Sequence, residues 1–390
     1  MRFLPRLGRN LVVPIVLGAA GLAAAAAPAS ALAASDGSRP VGHVYLDDNT
    51  TGTNTIAVFD RHSDGSLTPT DGSPFLAGGE GSGSGLASQG AVQVTADGRF
   101  LVAVDAGSNQ VSVLRIKKDG RVKLVPGGVV SSGGVLPVSV TIHNDLVYIA
   151  NAGPGGSNYT GFRLGNDGRL APIPGSTFAL PGDAQPGDVF FNGDGTKLVG
   201  TRVNASEIDS FVVGDDGSLT PASGSPYPAQ GVGPFGSEFR PTNPNQLFVS
   251  NAHNGAGAGT VSAFSDAADG TLSSIGASPF PDNQTAPCWV EISHDGQFLF
   301  TVNTASGTIS RYSIAPSGEL TLIGSTPVSA TGGVGAVDAR LAPDGNTLYV
   351  NESRIASVGA FAVDGGTLTE LTSSPVALPA GATPAGIAVN

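Results

Sequence analysis

The sequence predicts an all-β fold, a seven-bladed β-propeller of four-stranded antiparallel blades closed by pairing of its N- and C-terminal strands. Three observations carry this. First, a short phrase recurs seven times, as Asp64-Gly65-Ser66-Leu67-Thr68, then from Asp119, Asp167, Asp216, Asp269, Ser317 and Asp364, at intervals of 55, 48, 49, 53, 48 and 47 residues. Second, each interval holds strand-like runs bounded by Gly- and Pro-rich turns. A strand-built repeat of this length is one supersecondary unit repeated radially. Third, Ala382 to Asn390 reads as an innermost strand with no second strand after it, whereas Val41 to Leu46 begins at the second-strand stage. Together the two ends complete one blade and leave no inner edge unpaired.

Taken in order, the chain opens with Arg2, Arg6 and Arg9, an apolar stretch from Leu11 to Ala27, and Ala31-Leu32-Ala33. This is the pattern of a secretory signal peptide over residues 1–33, followed by a short linker at 34–40 and the propeller at 41–390. No adjacent arginine pair and no cysteine near the cleavage point are present, so general secretion without a lipid anchor is expected, and the protein is expected outside the cell.

The sixth unit shows the blade most clearly. Cys288 to Ile292 is a first strand, Ser293 to Gly296 a turn, Gln297 to Val302 a second strand, Thr308 to Ile314 a third, and Glu319 to Leu322 a fourth. The recurrent Asp-Gly or Ser-Gly supplies the positive φ that a tight hairpin needs. Its recurrence is therefore structural. Innermost strands such as Val138 to Ile142 and Val189 to Phe191 are apolar on both faces, because each blade lies between two others.

Composition narrows the function classes. Removing residues 1–33 leaves 16 basic and 31 acidic residues, a net charge of −15, which excludes nucleic acid as a natural partner. Cys288 is the only cysteine, so no internal disulfide forms, and a packed thiol is expected beside Trp289. A monomer without a membrane anchor is expected. Spacings such as HExxH, CxxC, GxSxG or a P-loop are absent. Asp47, Asp48 and Asn49 offer oxygen ligands of a kind that suits calcium, but no metal and no cofactor is expected.

Alignment of the units on their second strands places one polar residue per blade at the strand's end: Asp48, Asp105, Asn151, Arg202, Asn251, Asn303 and Glu352. Asn and Asp end strands well by bonding to their own loops. Arg202 and Glu352 are not turn formers, and are expected to orient an anionic oxygen and to act as general base at the channel mouth. His253, two residues after Asn251, is the candidate imidazole base on a mouth-side loop. Inner-strand starts carry a second polar set that includes Gln89, Asp188, Glu238, Arg240, Glu291, Asp338 and Arg340. Here Glu238 is a candidate catalytic acid or base and Arg340 a ligand-binding residue, while the pairs Glu238 with Arg240 and Asp338 with Arg340 are candidate salt bridges.

Thr95-Ala96-Asp97-Gly98-Arg99-Phe100-Leu101-Val102, Ala342-Pro343-Asp344-Gly345-Asn346-Thr347-Leu348-Tyr349-Val350 and Leu146-Val147-Tyr148-Ile149-Ala150-Asn151 resemble the strand signatures of the seven-bladed lactonase family. That family includes 6-phosphogluconolactonase and the carboxymuconate cyclases, and the resemblance spans about residues 41–390. It implies a cofactor-free hydrolase or cyclase acting on a sugar lactone or carboxymuconolactone-type molecule. Enzymatic members tend to carry histidine and arginine at inner-strand starts; the corresponding positions here hold Gly236-Ser237 and Cys288-Trp289. The same strand endings also resemble the repeats of surface-layer propellers, which are binding modules for an extracellular glycan, peptide or protein. Two functions follow as expectations: a lactonase-like enzyme taking a small lactone or carboxylate at the channel mouth, or a non-catalytic extracellular binder.

Overall fold

In a computed structural model, which describes residues 39–328 and 335–390, seven antiparallel sheets follow one another along the chain. The expected signal peptide lies outside the described residues. Blades 2 to 7 each begin with their innermost strand: Val92–Val94, Pro137–His143, Pro186–Phe191, Pro234–Arg240, Pro287–Ile292 and Ala336–Leu341. Each chain then runs outward by tight turns. In five sheets a further short strand pairs with the third.

Blade 1 is the composite one. Its innermost strand, Gly386–Val389, comes from the C-terminus and pairs antiparallel with Gly42–Asp47, with Val44 opposite Val389 and Asp47 opposite Gly386. The seal is both polar and apolar: the Asn390 N–H donates to the His43 carbonyl at 3.0 Å, and Ile387 is fully buried. Chain closure therefore rests on non-covalent pairing, as the split repeat predicts.

The recurrent phrase has a second use besides its turn. The seven glycines from Gly65 to Gly365 in that phrase all have positive φ, from 53° to 91°. Three of their carbonyls also accept from the preceding blade: Tyr148 Oη donates to Gly217 at 2.6 Å, Ser210 Oγ to Gly270 at 2.7 Å, and Tyr349 Oη to Gly65 at 3.0 Å. Both tyrosines are fully buried, so the hydroxyl finds its partner in the neighbouring hairpin while the ring fills the space between blades. The core is accordingly a series of apolar layers between successive sheets, into which the third strands also carry buried polar groups such as Ser112, Asp209, Ser210 and Ser310.

Candidate functional site

The seven aligned strand ends do not ring an open mouth. All are buried, and most turn back on the third strand of their own blade. Asp48 accepts from Thr55, Asp105 from Ser112, Asn151 donates to Asn158, Arg202 to Asp209 and Asn303 to Ser310, each partner seven residues on. Asn251 donates to Ser262 and Thr260. The physical reason is that a second strand lies one strand away from the axis, so its last side chain meets the returning hairpin. Arg202 holds Asp209 side-on, Nε to Oδ2 at 2.7 Å and Nη2 to Oδ1 at 2.6 Å, and reaches Glu207 at 3.0 Å. That guanidinium is committed to its blade. Glu352 is buried with Oε1 unpartnered, and burial pushes its carboxyl up to about 7.

Inner-strand carboxyls stitch one blade to the next. Asp188 accepts from Ser139 Oγ at 3.2 Å and from Ser237 N–H and Oγ at 2.9 and 2.7 Å. Glu291 accepts from the Leu341 N–H at 2.8 Å, and Asp338 from the Ile387 and Gly90 N–H groups at 3.3 and 3.2 Å. The two salt bridges expected within strands are replaced by contacts between blades. Arg340 pairs with Glu291 at 3.1 Å rather than Asp338. Arg240 donates to Gln246 and to the Gly296 and Ala315 carbonyls rather than to Glu238. Burial raises all four axial carboxyls, Asp188 to about 7, Asp338 to about 6, and Glu238 and Glu291 above their usual range.

The axis itself is stoppered. Residues Ser88-Gln89-Gly90, entering blade 2, cross it and bond to the inner strands of five other blades. Ser88 Oγ donates to the Val138 carbonyl at 2.7 Å, and the Gln89 N–H to the Gly187 carbonyl at 2.9 Å. Gln89 Nε2 donates to the Ser237 carbonyl at 3.2 Å, while its Oε1 accepts from the Val290 N–H at 3.0 Å. Trp289 Nε1 donates to the Ser88 carbonyl at 2.7 Å, and Gly90 N–H meets Asp338 in blade 7. Buried amide and backbone groups are thus satisfied across the channel.

Gly236 is what makes room for this stopper. A Cβ there would stand 2.1 Å from Gln89 Oε1 and 2.6 Å from the Cys288 carbonyl. The departures from the family pattern, Gly236-Ser237 and Cys288-Trp289, are therefore the residues that receive the stopper: space at Gly236, an acceptor at Ser237 and a donor at Trp289. Sequence reasoning placed Gln89 among polar inner-strand starts without seeing this role, because its partners lie 148 and 201 residues away.

The stopper divides the axis into two cavities. The upper one, about 340 Å³, opens on the loop side. Its walls are Leu86, Phe235, Cys288, Trp289, Val337 and Pro384, with Ser88, His253, Thr304 and Ser353 as the polar groups. Phe235 and Trp289 meet edge to face with ring centroids 5.4 Å apart. Cys288 is buried and its thiol is pushed up to about 12 by burial, so it is held as the neutral thiol. The lower cavity, about 300 Å³, lies at the other ends of the inner strands and includes Glu238, Arg340, Gln93 and Thr141. The residues expected to act together are therefore dispersed: His253 above, Glu238 and Arg340 below, Arg202 and Glu352 inside blades. Among the described residues no group of three or more His, Cys, Asp or Glu is placed to hold a metal ion.

Fold and site together define a closed seven-bladed propeller with a stoppered axis and an apolar cavity at its loop-side mouth. The chain matches the family described as Lactonase, 7-bladed beta-propeller over residues 52–182 and 196–326, and it belongs to that family. Among solved structures it is similar to a candidate 6-phosphogluconolactonase from Bacteroides uniformis, with 20% identity, a TM-score of 0.72, and coverage of 90% of this chain and 99% of that one. It is also similar to the periplasmic gluconolactonase of Pseudomonas aeruginosa, with 17% identity, a TM-score of 0.70, and coverage of 89% and 98%. A protein from Lactobacillus plantarum shares 17% identity with a TM-score of 0.70, covering 90% of this chain and 99% of that one. Likeness at these identities is one of fold. No curated protein matches the chain.

Proposed function

We propose that this protein is an exported lactonase-family propeller that binds a neutral, largely apolar small molecule, a lactone with a hydrocarbon ring or side chain, in the upper cavity without opening it. The single observation that carries this reading is the lining: Leu86, Phe235, Trp289, Val337 and Pro384 form apolar walls, and no Asp, Glu, Lys or Arg is among the described lining residues. An anionic or phosphorylated ligand would leave its hydration there for no compensating charge. A concave apolar pocket with a few polar groups is the usual form of a small-molecule site. Thr304 and His253 are the side chains left to donate to the ester oxygens, since the Ser88 and Ser353 hydroxyls already donate to the Val138 and Gly335 carbonyls.

Turnover is a different matter. Hydrolysis needs a base that activates water and donors that meet the developing oxyanion. Among the described lining residues His253 is the one imidazole, Cys288 is a protonated thiol, and no carboxylate is present. Family membership supports the lactone class, and the basic, apolar and small-residue pattern of residues 1–33 supports export.

The test uses Trp289, the only tryptophan in the chain and part of the cavity wall. Titration with a neutral alkyl-substituted δ-lactone is expected to change Trp289 emission saturably, and Ala305→Glu, at the cavity rim, to weaken that response about tenfold. An unchanged emission up to the lactone's solubility limit overturns the proposal.

A further inference from the structure

Beyond that reading, we propose that the lower cavity is a second, separate binding site, for a small hydroxylated carboxylate held side-on by the Nε and Nη2 edge of Arg340, with Glu238, Gln93 and Thr141 around it. The geometry of the arginine is the first support. Its Nη1 is taken by Glu291 at 3.1 Å, whereas Nε and Nη2 are buried and have no partner among the described residues. Those two N–H groups form the guanidinium edge that matches a carboxylate with two parallel hydrogen bonds. A guanidinium left in this way has two of its three nitrogens without the partners that burial requires.

Glu238 is the second support. The residue is 8% exposed, the Ile292 N–H lies against its carboxyl, and Oε2 is buried without a hydrogen-bond partner. Burial, reinforced by Glu291, raises its pKa well above the carboxylate range, which favours the neutral acid over a charge that repels an anion. The remaining carboxyls near Arg340 are already engaged. Asp188 is bonded by Ser139 and Ser237, Asp338 by the Gly90 and Ile387 N–H groups, and Glu291 by Leu341 and Arg340 itself. Arg240 and His143 add basic groups to the same lining.

Hydroxyl recognition follows from the other walls. Thr141 Oγ1 accepts from the Phe191 N–H at 3.2 Å, which leaves its own proton to donate, and Gln93 offers both a donor and an acceptor. The rim residues Gly193 and Pro241 are exposed, so the cavity is reached from solvent without passing the stopper. The two cavities therefore differ in chemistry as well as position, neutral and apolar above, cationic and polar below.

The experiment is calorimetric titration of the full propeller with sodium glycerate, with glycerol as the uncharged analogue of the same size. Glycerate is expected to bind saturably and glycerol not, with Trp289 emission unchanged because that indole faces the upper cavity. Arg340→Lys keeps the charge on Glu291 but loses the two-pronged edge, and is expected to weaken glycerate at least about tenfold. Should Arg340→Lys unfold, Thr141→Val and Gln93→Leu serve in its place, each expected to weaken binding several-fold with the melting temperature unchanged. Equal heats for glycerate and glycerol, unaltered affinity in a folded variant, or a glycerate-induced change in Trp289 emission would each overturn the proposal. Failure of lactone binding above, with glycerate binding intact, leaves this site standing.

Discussion

Replacing Arg202 by methionine separates a structural arginine from a ligand-binding one. In the folded chain Asp209 is 1% exposed and receives both Nε and Nη2 of Arg202, while Tyr159 Oη donates to the same carboxylate at 3.1 Å. Arg202→Met removes the cation and leaves a buried carboxylate with one neutral donor. Breaking a buried pair from one side costs about 3–5 kcal/mol, a large part of the 5–15 kcal/mol that ordinarily holds a domain. The Glu207 contact contributes little to this, since that carboxylate is 35% exposed and screened, so Glu207→Gln should cost less than about 1 kcal/mol. Pairing Arg202→Met with Asp209→Leu removes the stranded charge, and most of the loss should be recovered. Urea unfolding followed by circular dichroism gives all four midpoints. The reasoning is refuted if Arg202→Met keeps the wild-type midpoint yet abolishes lactone binding, because the arginine would then serve the ligand and not Asp209.

Three further outcomes follow from the same structure. Deleting the last eight residues removes Ile387 and the whole inner strand of blade 1, so the truncated chain should show no cooperative melting transition; a wild-type melting curve would contradict closure by Gly386–Val389. Glu352 has its folded pKa raised by burial to about 7, so the folded state holds its proton more tightly than the unfolded chain. No difference arises below the unfolded value near 4.5, the penalty grows as pH rises from there to about 7, and above that it is complete. Glu352→Gln should therefore stabilise the protein by about 1–2 kcal/mol at pH 8 and hardly at all at pH 4; equal effects at both pH values would exclude this account of the carboxyl. Cys288 should resist a thiol reagent at pH 8 in the native state and react within seconds in urea, and rapid native labelling would show an accessible thiolate.

What the sequence disclosed and what it hid have a common cause in distance along the chain. The Asp-Gly phrase is hairpin chemistry within five residues, and the split blade shows as two incomplete ends, so blade count and closure were legible. Tyr148 donating to Gly217 was not, although both residues stood inside the repeat. The register of the second strands was right, but the register does not say which end faces the axis. Arg202 is therefore sent to the channel mouth by its strand-end position, whereas its partner Asp209 lies seven residues on in the returning strand. Gln89 lay beyond reach for the opposite reason: its side chain meets Ser237 and Val290, in blades that follow much later. Two signals did exist, a polar pair Ser88-Gln89 ahead of an apolar strand, and a glycine at 236 where the resembled family tends to carry a larger side chain. Glu238 and Arg340 were both picked out by the sequence, and the structure brings them into one cavity, apart from His253.

The central claim is that the upper cavity holds a neutral lactone and leaves its ring closed. The direct measurement is a proton NMR spectrum of an alkyl-substituted δ-lactone kept at stoichiometric concentration with the protein at pH 7, read for line broadening and for ring opening in the same tube. Broadened lactone signals that persist with no hydroxy-acid signal above the protein-free control are the predicted result. Accumulation of the ring-opened acid faster than in that control, abolished by His253→Ala, would contradict it and make the cavity a hydrolytic site.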